Sequence, residues 1–261
     1  MKTIAIANQK GGTGKTTTAY NLGIALTQQG YRVLMVDFDP QGNLSCYCGI
    51  PPEQDLEQTI TELLMKVAYE KPLSHRECVY QSKRTDDSAP QVDFIPSNLR
   101  LASFELAMGT MMCREVLLKT CLEQYSSQYD YCIIDNPPDI GLNVVNALAI
   151  TDEVIVPVKV DEDALEGLDI VTEQIEDAKA FNPALKLAGV LITSHQNTDG
   201  EAAGVEWLEQ KTDFNILGII RYSKKVAENT FMRKPIYEYS PCCGAAQGYK
   251  KFVTAYTGKA R

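Results

Sequence analysis

Two lysines near the start of the chain stand on either side of a run of glycines. In the segment NQKGGTGKTTTAYNLG, which spans residues 8–23, Lys10 precedes the glycines and Lys15 follows them. Glycines allow successive backbone N–H groups to point at one anion, and the positive end of a helix dipole adds to that attraction. These residue types at this spacing predict a phosphate-binding loop between a strand and a helix.

The loop departs at one position from the plain P-loop pattern, Gly-x-x-x-x-Gly-Lys-Ser/Thr, because Gln9 occupies the place of the first glycine. We expect Lys15 to contact the β- and γ-phosphates of ATP and the Thr16 hydroxyl to ligate Mg²⁺. A glycine-rich turn that binds no nucleotide is the alternative, and the order and context of the loop argue against it. The residues expected to hold the nucleotide are Gly11, Gly12, Thr13, Gly14, Lys15, Thr16 and Thr17.

Three aspartates follow apolar runs of the chain. Asp37 and Asp39 flank Phe38 at the end of VLMVD, and Asp135 ends the run CII. Phosphoryl transfer depends more on positioning than on a strong base, so ordinary carboxylates suffice to orient a water molecule. A carboxylate at the end of a strand can also hold Mg²⁺ through water. The three aspartates are therefore candidates for the chemistry of nucleotide hydrolysis.

The elements that must position these side chains alternate between strands and helices along the whole chain. The predicted strands are TIAIAN, YRVLMVD, VDFIP, DYCIID, DEVIVPV, LKLAGVLIT and NILGII. Helices are expected at residues 15–29, closed by Gly30, and around residues 99–108, 114–125 and 245–256. Strands joined by helix-length crossovers predict an α/β fold with a single doubly wound, mostly parallel sheet and helices on both faces. Ligands of such sheets bind beyond the carboxyl ends of the strands, where these motifs fall.

Length and composition fit one domain. The chain has 261 residues, of which 44% are hydrophobic and 23% charged, as in ordinary globular proteins. It contains no internal repeat and no low-complexity linker. We expect a single domain over residues 1–261, with a peripheral variable segment at about 51–90 whose most loop-like part is QSKRTDDSAP.

The net charge and the cysteine positions limit which classes of protein this chain can belong to. The net charge of −9 argues against a surface coated by nucleic acid, although a local basic patch can still bind it. The eight cysteines include no C-x-x-C pair, and His75 and His195 are isolated, so we expect reduced thiols. No apolar run approaches the ~18 residues of a membrane span, and MKTIAIANQ runs directly into a strand. We expect a cytoplasmic protein.

Several segments beyond the phosphate loop resemble the ParA/Soj partition proteins, which are deviant Walker A ATPases. VDFDPQGNLS, residues 36–45, is similar to the second nucleotide motif of that family. YDYCIIDNPPDIG, residues 129–141, resembles its Walker B strand and switch loop. IPSNLRLASFEL, VPVKVDEDALEG and the region around RKPIYEYSP also look like family segments. The resemblance covers nearly the whole chain and is far more specific than the P-loop alone.

The resemblance implies a role for the second lysine. In this family two subunits enclose two ATP molecules face to face, and the signature lysine reaches the partner's nucleotide. Lys10 would then supply positive charge to the other subunit, much as an arginine finger does. Two nucleotides at one interface need cations from both sides, because each carries several negative charges. An exposed, solvated lysine is the alternative.

The resemblance also implies roles for the aspartates. Asp39 would position the attacking water, Asp37 would contribute to the Mg²⁺ environment, and Asp135 would be the Walker B aspartate. The expected catalytic residues are then Lys10, Lys15 and Asp39, and the expected metal-site residues are Thr16, Asp37 and Asp135. Two positions depart from the family pattern. Asp139 follows two prolines where a small residue is usual, and Ile220 stands where proline commonly precedes Arg221.

A basic segment in the C-terminal part is the candidate for binding DNA. RYSKKVAENTFMRK, residues 221–234, has five basic residues and one glutamate. Nonspecific DNA affinity comes from phosphate contacts, so such a patch can act despite an acidic total. The family's DNA-contacting arginines lie in this part, which implies Arg221, with Lys224 and Lys225 close behind. Because the phosphate loop lies elsewhere in the chain, we expect Arg221 to act apart from the ATP site.

The implied function is a DNA-segregation ATPase. ATP would drive formation of a homodimer that binds double-stranded DNA nonspecifically, on the nucleoid, and hydrolysis stimulated by a ParB-like partner would release it. No helix-turn-helix segment precedes the P-loop, so we do not expect sequence-specific operator binding. No membrane association is expected.

Two other classes were weighed against this function. A MinD-like membrane ATPase is the main alternative, because GYKKFVTAYTGKAR carries Tyr249, Phe252, Val253 and Tyr256 among lysines. That pattern also fits a terminal helix packed on the sheet, the more frequent outcome. A nitrogenase-like iron protein needs cluster cysteines near the switch loops, and no cysteine lies between Cys132 and Cys242.

Overall fold

The computed structural model describes residues 1–51, 54, 56–72, 78–84, 89–109, 111–161, 164–211 and 214–258. The strands are β1 Lys2–Ile6, β2 Val33–Asp37, β3 Tyr80–Gln81, β4 Asp93–Ile95, β5 Tyr131–Asp135, β6 Glu153–Val158, β7 Lys186–His195 and β8 Ile216–Arg221. The helices are α1 Lys15–Gln28, α2 Asn43–Tyr47, α3 Ile60–Ala68, α4 Arg100–Met108, α5 Leu117–Glu123, α6 Leu142–Ile150, α7 Ala164–Ala178, α8 Asp199–Lys211, α9 Lys225–Phe231, α10 Ile236–Tyr239 and α11 Gly244–Thr257.

The strands of the described residues form one eight-stranded sheet in the order β3-β4-β2-β5-β1-β6-β7-β8. Every neighbouring pair is parallel except β3 and β4. The mostly parallel sheet predicted from the sequence is confirmed. Since β1 lies between β5 and β6, the loop that follows β1 emerges at the middle of the sheet, flanked by the ends of both neighbours.

Helices cover both faces of the sheet, as predicted. Successive side chains of a strand point to opposite faces. In β2, Met35 therefore packs in one core cluster with Leu22 of α1 and Phe252 of α11. Leu34 and Val36 belong to the opposite cluster, which includes residues of α3, α4 and α5. A third cluster joins α6 and α7 to β6 and β7.

Helix α1 follows the predicted bounds closely and lies unusually near β2. It ends at Gln28, with Gln29 as its cap and Gly30 beyond it, one residue before the predicted end. A Cβ atom at Gly23 would collide with the sulfur of Met35. Glycine at this position therefore allows the helix backbone to approach the sheet, which fixes the helix that begins at the phosphate loop.

The segment at about 51–90 contributes one helix to the core. Leu63 and Leu64 of α3 are buried in the cluster formed with α4 and α5. The two-residue strand β3 lies at the sheet edge, antiparallel to β4. Part of the predicted loop QSKRTDDSAP, and His75, lie outside the described residues.

A capping box starts helix α3. Thr59 is fully buried, its hydroxyl accepts a hydrogen bond from the Thr61 N–H, and Glu62 accepts from the Thr59 N–H at 2.8 Å. We expect Thr59→Ala to lower the free energy of unfolding by about 1 kcal/mol, because orphan N–H groups lose their partner. Urea denaturation measures the change. Thr120→Ala, in the exposed part of α5, is the control and should change it by less than about 0.5 kcal/mol; equal losses would contradict the prediction.

All eight cysteines are free thiols, as expected from the sequence. Cys48, Cys78, Cys121 and Cys132 are buried among apolar side chains. Burial raises the pKa of the Cys132 thiol to about 12, so the group stays protonated and acts as a small apolar side chain.

Candidate functional site

The phosphate loop turns through two left-handed glycines. Gly12 has φ 72° and Gly14 has φ 86°, conformations that residues with a Cβ rarely adopt. A Cβ atom added at Gly11 or Gly12 would meet no atom within 4 Å, so the space above the loop is open. Gly14 caps α1, which begins at Lys15. The loop thus offers a concave backbone surface at a helix N-terminus, the geometry that suits an anion.

The two lysines of the loop are held in different ways. Lys15 is 7% exposed, and its ammonium donates a hydrogen bond to the Lys10 carbonyl oxygen at 3.1 Å. Burial lowers the pKa of Lys15, and the nearby carboxylates of Asp135 and Asp39 oppose that shift. The Lys10 ammonium instead lies 2.5 Å from Asp161 Oδ1. Lys15 therefore faces into the site, while Lys10 reaches sideways to the loop that follows β6.

Asp37 is a buried carboxylate that fixes the loop after β2. Its Oδ2 accepts hydrogen bonds from the Ser45 N–H and hydroxyl, each at 2.7 Å, and its Oδ1 accepts from the Asp39 N–H at 3.3 Å. The Ser45 hydroxyl oxygen in turn accepts from the Ser97 N–H at 3.0 Å. Burial raises the pKa of Asp37 to about 7, although the Ser45 hydrogen bonds oppose the rise. The residue connects the site to the loop after β4.

Among the described residues, neither buried carboxylate oxygen of Asp135 has a hydrogen bond of ordinary geometry, and the Thr16 hydroxyl lies nearby. It ends β5 directly opposite Asp37 of β2 and Ile6 of β1 in the sheet register. The pKa of Asp135 is raised mainly by burial and to a smaller extent by the charge of Asp37. The nearby hydroxyl of Thr16 opposes this rise. Unpartnered buried oxygens are costly, so these two require a cation or ordered water.

Asp39 lies beside this pair in the loop that follows β2, and its side chain is buried. It is 6% exposed, and its Oδ1 accepts a hydrogen bond from the Gln41 N–H at 2.9 Å. Burial raises its pKa, and the positive charge of Lys15 lowers it. The structure therefore brings Lys15, Asp37, Asp39 and Asp135 together at one edge of the sheet.

These residues fit a magnesium–nucleotide site. The described residues contain no cluster of three or more His, Cys, Asp or Glu that encloses a metal ion by itself. Mg²⁺ is usually bound by one or two carboxylates with water and phosphate oxygens, which matches the open carboxylate of Asp135 near Thr16. The donor set and the open space beside Gly11 and Gly12 thus suit Mg²⁺ and a polyphosphate together.

Asp139 lies close enough to Lys15 and Asp39 for its charge to affect both of them. Its Oδ1 accepts a hydrogen bond from the Gly141 N–H at 2.9 Å, which shapes the turn after the two prolines. Its charge raises the pKa of both Lys15 and Asp39. The residue that departs from the family pattern therefore adds negative charge beside the phosphate lysine.

A cavity of about 440 Å³ adjoins the phosphate loop, and two of the three predicted basic residues line it. Gly12, Gly14 and Thr17 line one side, and Arg221 and Lys224 line another. The expectation that Arg221 acts apart from the ATP site is wrong, because the end of β8 returns to the loop in space. Lys225 is not among the lining residues; its exposed ammonium lies 2.7 Å from Glu228 Oε2.

Two supporting residues were missed by the sequence analysis. The Thr193 hydroxyl, at the end of β7, donates to the Thr13 carbonyl at 2.7 Å and so fixes the back of the phosphate loop. Asp161 follows β6 and pairs with Lys10. Thr193 lies near the carboxyl end of β7 and Asp161 follows the carboxyl end of β6, and this position is the signal that points to both residues.

A phosphate loop in the middle of a parallel sheet, with aspartates at the ends of the two neighbouring strands β2 and β5, defines a P-loop nucleoside triphosphatase fold. Residues 1–187 match the AAA domain family. The chain is 36% identical over 253 residues to the sporulation initiation inhibitor protein Soj of Bacillus subtilis, covering 95% of each chain. It is 34% identical over 266 residues to the chromosome partitioning protein ParA of Caulobacter vibrioides, covering 100% of this chain and 96% of that one. The chain belongs to the ParA/Soj family of ATPases.

Solved structures agree with this assignment. A plasmid partition protein from Borrelia burgdorferi superposes with a TM-score of 0.74 at 26% identity, with 98% of each chain covered. Cobyrinic acid a,c-diamide synthase from Mycobacterium smegmatis, solved with a bound ATP analog and magnesium, gives 0.79 at 28% identity, with 99% of this chain and 97% of that one covered. The second likeness places a nucleotide-binding metabolic enzyme on the same fold, so the fold alone does not fix the function.

Proposed function

We propose that this chain is a DNA-partitioning ATPase. ATP with Mg²⁺ binds at the phosphate loop, two subunits enclose two nucleotides, and the dimer binds double-stranded DNA without sequence preference. Hydrolysis, stimulated by a ParB-like partner, releases the DNA. The observation that supports this best is the convergence of Lys15 with the buried carboxylates of Asp37, Asp39 and Asp135, in a chain that also carries the second lysine, Lys10.

Each group has a defined part in this proposal. Lys15 contacts the β- and γ-phosphates, and Thr16 with Asp135 holds Mg²⁺, which supplies charge neutralisation to the phosphate oxygens. Asp39 orients the attacking water and accepts its proton. Asp37 contributes to the Mg²⁺ environment, and it also keeps the loop in place because Ser45 donates two hydrogen bonds to it. Lys10 adds positive charge at the nucleotide of the other subunit.

The C-terminal helix disfavours the membrane alternative. Tyr249, Phe252 and Val253 of α11 are at most 4% exposed and belong to the core cluster with α1. The Tyr256 hydroxyl donates to Glu153 Oε2 at 2.6 Å. A helix whose apolar residues are already covered by the sheet has no apolar face left for a lipid surface. Among the described residues, no helix is long and apolar enough to cross a membrane.

DNA binding is tested best at Lys225. Arg221 and Lys224 line the nucleotide cavity, so their replacement would disturb both activities, whereas Lys225 lies outside that lining. Log affinity falls with log salt by about 0.9 per phosphate contact on duplex DNA. We expect Lys225→Glu to weaken the binding of ATP-bound protein to unrelated duplexes alike. One lost contact in each of two subunits should make the salt slope shallower by about 1.8.

Lys179 offers a matched control. Its ammonium pairs with Glu176 at 2.6 Å across one helical turn, as Lys225 pairs with Glu228, and it is similarly exposed. Lys179→Glu makes the same change of charge immediately after the end of α7 and should leave the slope unchanged. The measurement is a salt titration by fluorescence anisotropy, with ATP affinity checked separately. Equal slopes for the parent and both variants would exclude Lys225 from the DNA interface.

A further inference from the structure

The helix that follows the switch loop is capped by a residue of another helix. The switch loop, residues 136–141, runs from the end of β5 to the start of α6. Gly141 has no side chain with which to cap α6, and the first turn of α6 contains no acidic residue. Glu105 of α4 takes that role, because its Oε1 accepts a hydrogen bond from the Asn143 N–H at 3.3 Å and its Oε2 accepts one from the Asn143 side-chain amide at 2.9 Å. The N–H groups at a helix start need acceptors, so Glu105 fixes the point where the switch loop ends.

Glycine at position 141 makes room for this carboxylate. A Cβ atom added to Gly141 would collide with Glu105 Oε1. Asn143 is fully buried, so its N–H groups depend on Glu105 rather than on bulk water. The contact between α4 and the end of the switch loop is therefore both close and polar.

The beginning of α4 is joined to the loop that follows β2. Ser97, shortly before α4, donates its N–H to the Ser45 hydroxyl at 3.0 Å, and that hydroxyl donates to Asp37 Oδ2 at 2.7 Å. Between its two ends, α4 is held by apolar side chains in the core cluster that it shares with α3 and α5. Helix α4 thus connects the two loops that follow β2 and β5, and both of these loops carry aspartates of the candidate site.

The switch loop brings Asp139 to that site. Asp139 Oδ1 accepts a hydrogen bond from the Gly141 N–H at 2.9 Å, directly before α6 begins. Burial raises the pKa of Glu105, and the charge of Asp139 raises it further, so the two carboxylates lie close together. A shift of the start of α6 would therefore move Asp139 relative to Lys15 and Asp39, which its charge also affects.

We propose that Glu105 is a positioning residue that holds the switch loop, and Asp139 with it, in the arrangement needed for ATP hydrolysis. This inference rests on the proposed function, in which Asp39 orients the attacking water. Phosphoryl transfer depends on positioning, so a displaced switch loop lowers the rate of hydrolysis. The affinity for ATP depends mainly on the phosphate loop, which follows a different strand, β1, and is affected much less.

The test compares Glu105→Ala and Glu105→Gln with the parent protein in steady-state ATP hydrolysis with Mg²⁺. Alanine removes both acceptor oxygens, so kcat should fall about 10- to 100-fold while KM stays close to the parent value. Glutamine keeps one acceptor oxygen at the same reach and should restore most of kcat. Parent-like kcat in Glu105→Ala, or an equal loss in both variants, would overturn the proposal.

Asn182→Ala is the matched control, because it loosens the opposite end of the same helix. The Asn182 amide donates to the Leu148 carbonyl at 3.0 Å and to the Thr151 carbonyl at 2.6 Å, where α6 ends. Both alanine variants should lower the midpoint of urea denaturation, but Asn182→Ala should keep kcat at the parent value. If it loses as much kcat as Glu105→Ala, the effect is one of helix stability, and the proposal is overturned.

A second measurement does not depend on hydrolysis. In nucleotide-free protein, Glu105→Ala should raise the hydrogen-exchange rate of the backbone amides at residues 141–143, followed by mass spectrometry, and Asn182→Ala should change it much less. Unchanged exchange in Glu105→Ala would overturn the proposal. If the parent protein binds ATP without hydrolysing it, the proposed function fails; raised exchange would then show that Glu105 holds the loop, while its role in hydrolysis is overturned.

Discussion

Replacing Lys15 with alanine should remove most of the affinity for ATP. Its ammonium is the buried cation of the phosphate loop, and removal of one partner from a buried, hydrogen-bonded charge pair costs about 2–5 kcal/mol. The affinity for ATP, measured by isothermal titration calorimetry, should therefore fall roughly 30-fold or more. Dimerisation and DNA binding depend on the nucleotide in the proposed function and should be lost together with it.

Two controls separate this loss from unfolding. Burial already lowers the pKa of Lys15, which means that the folded protein pays a desolvation cost for the charge, and alanine removes that cost. The melting temperature should therefore not fall. Lys10→Ala should keep the ATP affinity of the monomer and lose the dimer, because Lys10 points away from its own phosphate cradle. Parent-like ATP affinity in Lys15→Ala would refute the P-loop assignment.

Asp39→Ala should separate nucleotide binding from hydrolysis. Removal of a carboxylate near the phosphates lowers the local negative charge, so ATP should bind at least as well as in the parent. Loss of the group that orients the water should lower kcat by about 100-fold or more. The variant should accumulate as an ATP-bound dimer, which size-exclusion chromatography and a phosphate-release assay detect together.

Asp139→Asn is the comparison for this experiment. Asp139 contributes negative charge to the same cluster, and its hydrogen bond to the Gly141 N–H survives in the amide. We expect hydrolysis to continue in that variant, because Asp39 remains. If Asp39→Ala hydrolyses ATP at the parent rate, Asp39 has no catalytic role, and Asp37 or Asp139 becomes the candidate.

The sequence predicted the centre of the molecule better than its edges. Strands β1, β2 and β5 are continuous apolar runs buried on both faces, so their pattern is strong. Strand β3 has two residues, one of them exposed, and such a short edge strand leaves no periodicity to detect. Helix α3 was not singled out within the stretch at about 51–90, although its buried residues Ile60, Leu63 and Leu64 have helical spacing and a capping box precedes them.

The sequence also predicted some contacts of the candidate site and missed others. Lys15 and the three aspartates follow strands that neighbour one another or share a motif, so their meeting could be foreseen. The contact between Lys10 and Asp161 depends on β6 lying beside β1, which only the strand order reveals. Arg221 ends β8 and lines the same cavity as the phosphate loop. The sequence could not predict this contact, because the two segments are far apart along the chain.

The attachment of α1 to the C-terminal region bears on how the protein is made. The Thr18 hydroxyl shares a buried hydrogen bond of 3.1 Å with the Tyr249 hydroxyl. Asn21 accepts one from the Ile236 N–H at 2.9 Å and another from the Tyr237 hydroxyl at 3.2 Å. These partners leave the ribosome long after the helix that begins at the phosphate loop, because more than 200 residues separate them along the chain. A nascent chain therefore carries a loosely held nucleotide site until the segment from Ile236 to Tyr249 has emerged and can hold α1 in place.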